Sequence, residues 1–286
     1  MAIALGANQY GKAEARLVRV DRDTDRHALT DLNVTSTLAG DLAETHLSGD
    51  NARVLPTDTQ KNTVYAFAKR HGVGQIEEFG LRLARHFVDT QPPIARSRVT
   101  IEEYAWRRLG PHSFERAGAE TRTASVTYDG TDAWVVSGLT GLVLLNTTGS
   151  EFWGFARDEF TTLPETKDRI LATAVTARWR HAAPSGPDWA ASYAGAREAL
   201  VRAFAETHSR SLQQTLYAMG RRVLEERSEL VEVRLSLPNR HHLLVDLTSF
   251  GLDNPNEVFV AADRPYGLIE GAAVRDDAPP AGLAWW

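Results

Sequence analysis

The chain has 286 residues, 43% apolar and 24% charged, the balance of a soluble globular protein long enough for one large or two ordinary domains. Its formal net charge of -5 argues against a nucleic-acid binder, which normally carries a basic face. It contains no cysteine, so disulfides, thiolate nucleophiles, iron–sulfur clusters and cysteine zinc sites are excluded together.

No apolar run approaches the roughly 20 residues of a membrane span. The N-terminal MAIALGANQYGKAEARL has no basic region ahead of its short apolar patch, so no signal peptide is expected. The first forty residues read as strands. KAEARLVRV puts Ala13, Ala15 and Leu17 on one face, and RHALTDLNVTSTL follows as a second, more polar strand. LPTDTQKNTVYAFA then sets seven polar residues, Thr57 to Thr63, against an apolar run. Thr57 and Gln60 fit a capping box, and Val64, Phe67 and Ala68 continue as a helical stripe from 57 to 70. Capping leaves Asp58, Lys61 and Asn62 unexplained.

IEEFGLRLARHFV, 76 to 88, is a stronger helix, with Ile76, Phe79, Leu83 and Phe87 near helical spacing and QPP to stop it. RVTIEEYAW, TRTASVTYDG and TDAWVVSGLTGLVLLN return to strands, the last two joined by the hairpin signal Asp129-Gly130. After a polar-aromatic stretch, Thr162-Leu163-Pro164-Glu165 forms a second capping-box pattern. LATAVTARWRH is a strand. SGPD opens two helical stretches, WAASYAGAREALVRAFAETHS and LQQTLYAMGRRVLEER, and VEVRLSLP, RHHLLVDL and GLIEGAAV are strand-like. Runs of strands separated by runs of helices predict an α+β fold with antiparallel sheets. QKNTVYA and TKDRILA, in the two halves, resemble each other, which fits a duplication.

There is no HxH, HExxH, GxGxxG, P-loop or GxSxG pattern, so metal, nucleotide and serine-elbow chemistry lack local support. Individual positions have plain readings. Lys12 is an edge lysine, Arg169 a surface arginine early in a helix after Pro164, and Gln213 a solvated residue behind the third capping box, Ser211 to Gln214. Asn239 and His241 share a strand face with Leu243, Val245 and Leu247, and Phe152, Trp153 and Phe155 anchor a loop. Jointly they say more. Thr57, Arg169 and Gln213 fall near expected helix starts, where free N–H groups favour an anion. A guanidinium fork, an amide and a phenyl face are the parts that hold a planar, anionic heterocycle bearing carbonyls and N–H groups. That gives a ligand class, not a reaction.

YGKAEARLVRV, TDTQKNTVYAFA, TGSEFWGFARDEFTTLPETKDRILAT, FAETHSRSLQQTLYAMG, SLPNRHHLLVDL, DNPNEVF and ADRPYGLIE resemble the urate oxidase (uricase) family, in order from residue 8 to about 270. The stretch from about 90 to 145 resembles it least. The resemblance implies two tandem T-fold units, here 1–135 and 136–286, each an antiparallel sheet with helices on one side. Four such chains would build a tunnel-shaped homotetramer with active sites between subunits. The implied reaction oxidises urate with O2 to 5-hydroxyisourate and hydrogen peroxide, with no metal or organic cofactor.

Carried over to this sequence, the resemblance implies a urate clamp of Arg169 and Gln213, with Phe152 stacked on the purine and Leu212 giving a backbone contact. Thr57 and Asp58 would touch the other edge from a neighbouring subunit. Asn239 would lie over the ring where O2 and then water bind, and Lys12, Thr57 and His241 would form a proton relay. Arg240 stands where lysine is common and is expected to point away from Asn239 and His241. The terminal AGLAWW replaces the peroxisomal tripeptide of many eukaryotic relatives, so a cytoplasmic protein is expected. Two other readings remain open at this point: a different T-fold purine or pterin enzyme, and a purine-binding tetramer without turnover.

Overall fold

The computed structural model describes residues 2–286, with the backbone alone at Asp263. By internal contacts the chain falls into two compact units. The first comprises Met1–Gly138, Arg180–Ala190 and Pro279–Trp286; the second comprises Leu139–Trp179 and Ala191–Ala278.

In the first unit the strands β1 (Tyr10–Asp21), β2 (Ala28–Gly40), β3 (Ile94–Arg108) and β4 (Phe114–Tyr128) lie side by side in chain order, each antiparallel to the next. The start of β5 (Ala133–Asn146) follows the turn at Asp129-Gly130, where Asp129 Oδ1 accepts from the N–H groups of Thr131 and Asp132. Three helices fill the connection from β2 to β3: α1 (Ala43–Leu47), which the apolar pattern did not predict, α2 (Thr57–His71) and α3 (Ile76–Thr90).

The spacing of Ile76, Phe79, Leu83 and Phe87 does what it predicts. All four are fully buried, packed with Val99, Ile101 and Val126 of the sheet. Burying such side chains contributes about 1.5–3 kcal/mol each. Glu77 shares the buried start of α3. Its carboxylate accepts from Arg122 Nη2 at 2.7 Å and from Ser137 Oγ at 2.7 Å, and Ser137 Oγ lies 3.0 Å from His181 Nε2. A carboxylate at a helix start is favoured by the dipole, and these partners make its burial tolerable.

The second unit holds the rest of β5, most of β6 (Leu171–His181) and of α4 (Trp189–Glu206), α5 (Leu212–Glu226), β7 (Leu230–Leu244) and β8 (Phe259–Val274). Its core joins Val175, Ala177 and Trp179 of β6 to Leu200 and Ala203 of α4 and to Leu216, Met219 and Val223 of α5. VEVRLSLP and RHHLLVDL, which read as two strands, are largely one strand, β7. Leu243 and Leu244 at its end are 57% and 49% exposed, so the apolar face expected beyond His241 is not core. Among the described residues no helix is long and apolar enough to cross a membrane.

Candidate active site

The first unit carries Lys12, Thr57 and Asp58. On β1, Tyr10 pairs with Leu38, Gly11 with Thr37 and Lys12 with Ser36; pairing resumes only at Ala15 with Val34. The bulge is carried by Glu14, at φ 55, whose N–H donates to Thr35 Oγ1 at 3.0 Å. A bulge breaks the alternation read from KAEARLVRV and re-aims its neighbours. Ala15 is buried, whereas Ala13 is exposed. Gly11 is required by close approach: a Cβ there would lie 1.8 Å from the Ser36 carbonyl oxygen.

Thr57 opens α2, but as its first helical residue. Pro56 occupies the cap position without a side-chain bond, and the expected capping box is absent. Gln60 does not reach back to Thr57. It is fully buried, its Oε1 accepting from Ser36 Oγ at 2.7 Å and its Nε2 donating to the Leu55 carbonyl at 3.3 Å. A buried partner on β2 outcompetes a solvent-exposed helix end, where water satisfies the same groups. Asp58 is exposed, and its carboxylate accepts from Lys61 Nζ and from Asn62 Nδ2 within its own helix. The Lys61 hydrogen bond chiefly holds this carboxyl below the ordinary carboxylate range, and the charge of Lys12 adds to that effect. Lys61 and Asn62 therefore turn the Asp58 side chain back along the helix surface.

The second unit carries the remaining residues. No helix forms between 162 and 170, so the second capping box is also absent and Arg169 stands in the loop just before β6. The physical reason is a competing extended pairing: Phe152 and Thr166 exchange backbone hydrogen bonds at 2.8 and 3.0 Å, and the Arg169 N–H donates to the Ser150 carbonyl at 2.9 Å. On the other side of the same strip, Glu151 N–H donates to Ser209 O at 2.7 Å and Ser209 N–H to Gly149 O at 2.9 Å. Residues 149–152 thus form a narrow spine between the loop bearing Arg169 and the entry to α5.

Buried hydroxyls finish this frame. Arg169 Nε donates to Ser150 Oγ at 3.3 Å, and Thr215 Oγ1 donates to Ser209 Oγ at 2.8 Å. Ser150, Ser209 and Thr215 are all fully buried. The Ser211 half of the third capping box forms, its Oγ accepting from the Gln214 N–H at 3.2 Å, while Gln214 Oε1 accepts from the N–H of Arg210, one residue before the cap. Leu212 is buried and Gln213 exposed in this first turn, where backbone N–H groups remain open to an acceptor. Sequence reasoning missed Ser150, Ser209 and Thr215 and gave Gln60 the wrong role, because a buried hydroxyl or amide leaves no periodic signal.

Phe152, Arg169, Asn239 and His241 line one cleft of about 440 Å³. The Arg169 guanidinium lies 5.2 Å from the Phe152 ring centroid, and Phe152 stacks on Phe155 at 4.9 Å with ring planes 16° apart. Burial lowers the Arg169 pKa, yet a guanidinium stays charged at any working pH. Between Asn239, paired with Gly267, and His241, paired with Ala262, the β7–β8 register shifts. His242 lines the same cleft as His241, against simple strand alternation. Arg240 is exposed and does not line the cleft that Asn239 and His241 share. Leu212 and Gln213 do not line this cleft; they join its frame through Ser209. A fixed cation, an aromatic face, an amide and an imidazole around one opening suit a planar anionic ring.

The sequence model of the Uricase family matches residues 8–127 and 135–270, with its one gap at the β4–β5 turn. The chain belongs to the uricase family. The uricase of Arthrobacter globiformis is 54% identical over 276 residues, covering 96% of this chain and 91% of that protein. The uricase of Dictyostelium discoideum is 37% identical over 278 residues, covering 94% and 96%. The crystal structure of the Arthrobacter globiformis uricase superposes with a TM-score of 0.96 at 53% identity, covering 100% of this chain and 99% of that one. The uricase match includes both strands of the bulge beside Lys12, the start of α2, the 149–152 spine, the α5 entry, the end of β7 and the start of β8.

Proposed function

We propose that this chain is a urate oxidase built from two tandem T-fold units, 1–135 and 136–286, and that four chains form the active assembly. The observation that carries the reading is the Arg169 guanidinium set over Phe152 in a cleft shared with Asn239 and His241, in a chain 54% identical to a uricase across its length. That identity favours urate over the pterin substrates of other T-fold enzymes. Exposed apolar residues on the edge strands, Val18, Val260 and Leu268 at 58%, 54% and 57%, support subunit association.

In this reading Arg169 and Gln213 grip the anionic edge of urate, Phe152 stacks on the purine, and the Leu212 backbone adds a contact. Thr57 and Asp58 of a neighbouring subunit meet the opposite edge, so each site is completed by two chains. Urate gives up two electrons, O2 takes them with two protons to become hydrogen peroxide, and water supplies the hydroxyl of 5-hydroxyisourate. Asn239 holds O2 and then water above the ring. A threonine hydroxyl is a poor base until a neighbour accepts its proton, so Lys12 activates Thr57 and the His241 imidazole passes protons on. The protein supplies orientation and proton handling, and the electron-rich urate dianion supplies the electrons.

The test follows urate absorbance and O2 uptake together, with a chelator present. Equal consumption of urate and O2 supports the proposal, and folded protein that consumes neither overturns it. In the same assay Lys12→Met and Thr57→Ala lower turnover while a non-oxidisable purine analogue still binds; unchanged turnover in both variants removes the relay.

A further inference from the structure

The carbonyl of Leu55 is a fixed point between two segments that carry separate relay residues. Tyr10 Oη donates to it at 3.0 Å from β1, and Gln60 Nε2 donates to it at 3.3 Å from α2. Gln60 continues to β2, where its Oε1 accepts from Ser36 Oγ at 2.7 Å. Ser36 is the register partner of Lys12, Tyr10 lies two residues before Lys12 on the same strand, and Leu55 lies two residues before Thr57. Gln60 and Ser36 are 0% and 2% exposed, so water cannot replace these bonds cheaply.

We infer that Tyr10, Ser36 and Gln60 are positioning residues that set the spacing of Lys12 and Thr57 through the Leu55 carbonyl. The inference rests on the reading of Lys12 and Thr57 as a relay. A proton passes from a hydroxyl to an amine only at hydrogen-bond reach, so a shift of one ångström is enough to break the step. The bulge at Glu14 begins immediately after Lys12, so no further ladder pair braces that side of the lysine until Ala15. The Tyr10–Leu55–Gln60–Ser36 chain supplies the brace from the side of α2. This explains why TDTQ resembles a capping box yet builds none: the glutamine amide is turned inward to hold the helix start against the sheet.

Tyr10→Phe, Ser36→Ala and Gln60→Leu in the full chain test this, with kcat, KM for urate and the pH profile of kcat measured beside thermal stability. Tyr10→Phe and Ser36→Ala are each expected to lower kcat about three- to tenfold, to displace the pH profile, and to leave KM within about twofold. Ser36→Thr, which keeps the hydroxyl, restores kcat. Gln60→Leu removes both amide bonds and is expected to lower kcat further; the two milder variants decide the matter if it fails to fold. Wild-type kcat and pH profile in Tyr10→Phe and Ser36→Ala, with only the melting temperature lowered, overturn the inference. Lys12→Met, run in parallel, separates the cases. Full turnover without the lysine amine removes the relay itself, whereas loss of turnover there, with both milder variants at wild-type rates, removes only the positioning role.

Discussion

Arg169 is the residue on which substrate affinity should depend most. Its side chain is half-buried, fixed by Ser150 and set over Phe152. A charge-assisted hydrogen bond contributes about 1.5–3 kcal/mol. Arg169→Ala is therefore expected to weaken binding of a non-oxidisable purine analogue roughly 10- to 100-fold, and calorimetric titration measures it. Unchanged affinity would remove Arg169 from the clamp. Residue type was legible in the sequence here, but placement was not. Arg169 read as a residue early in a helix, because the capping-box pattern at Thr162 to Glu165 is local, and the strip that captures this segment lies elsewhere in the chain. Gln60 failed the same way, its amide claimed by Ser36 on another element. The Ser211 cap read correctly because both partners lie within one turn.

At the scale of elements, α3 and the 149–152 spine carry distinct predictions. Glu77 and Arg122 pair at the buried start of α3, their side chains 0% and 13% exposed. Arg122→Met leaves that carboxylate with fewer partners, and removing one member of a buried pair costs about 3–5 kcal/mol. Denaturant unfolding should show that loss, and a wild-type midpoint would refute it. In the spine, the Glu151 carboxyl is held below its ordinary range, first by its hydrogen bond to His208 and then by that to Trp153 Nε1. A carboxyl with a depressed folded pKa contributes stability above its unfolded value and loses it as pH falls through the folded value. The melting-temperature gap between the wild type and Glu151→Gln should thus be present at neutral pH and close in acid; a gap independent of pH contradicts the assignment. Long periodic elements such as α3 were legible in the sequence. The bulge at Glu14 was not, because a single extra residue leaves the alternation on both sides plausible, nor was the register shift after Asn239, whose three extra residues lie on the partner strand β8.

At the scale of the whole molecule, the candidate residues divide between the two units: Lys12, Thr57 and Asp58 in one, and Phe152, Arg169, Leu212, Gln213, Asn239 and His241 in the other. The family resemblance supplied the idea that neighbouring chains complete each other's sites, which no local pattern could carry. If each centre takes Lys12 and Thr57 from one chain and its clamp and His241 from another, two differently disabled chains should repair one another. Coexpression of the Lys12→Met and Arg169→Ala chains, with urate consumption assayed on the mixed assembly, tests this most directly. Random assembly of equal amounts leaves roughly one site in four with both intact halves in a symmetric oligomer. The account predicts recovery to about a quarter of wild-type activity on that basis. Mixed assemblies no more active than either variant alone would contradict it.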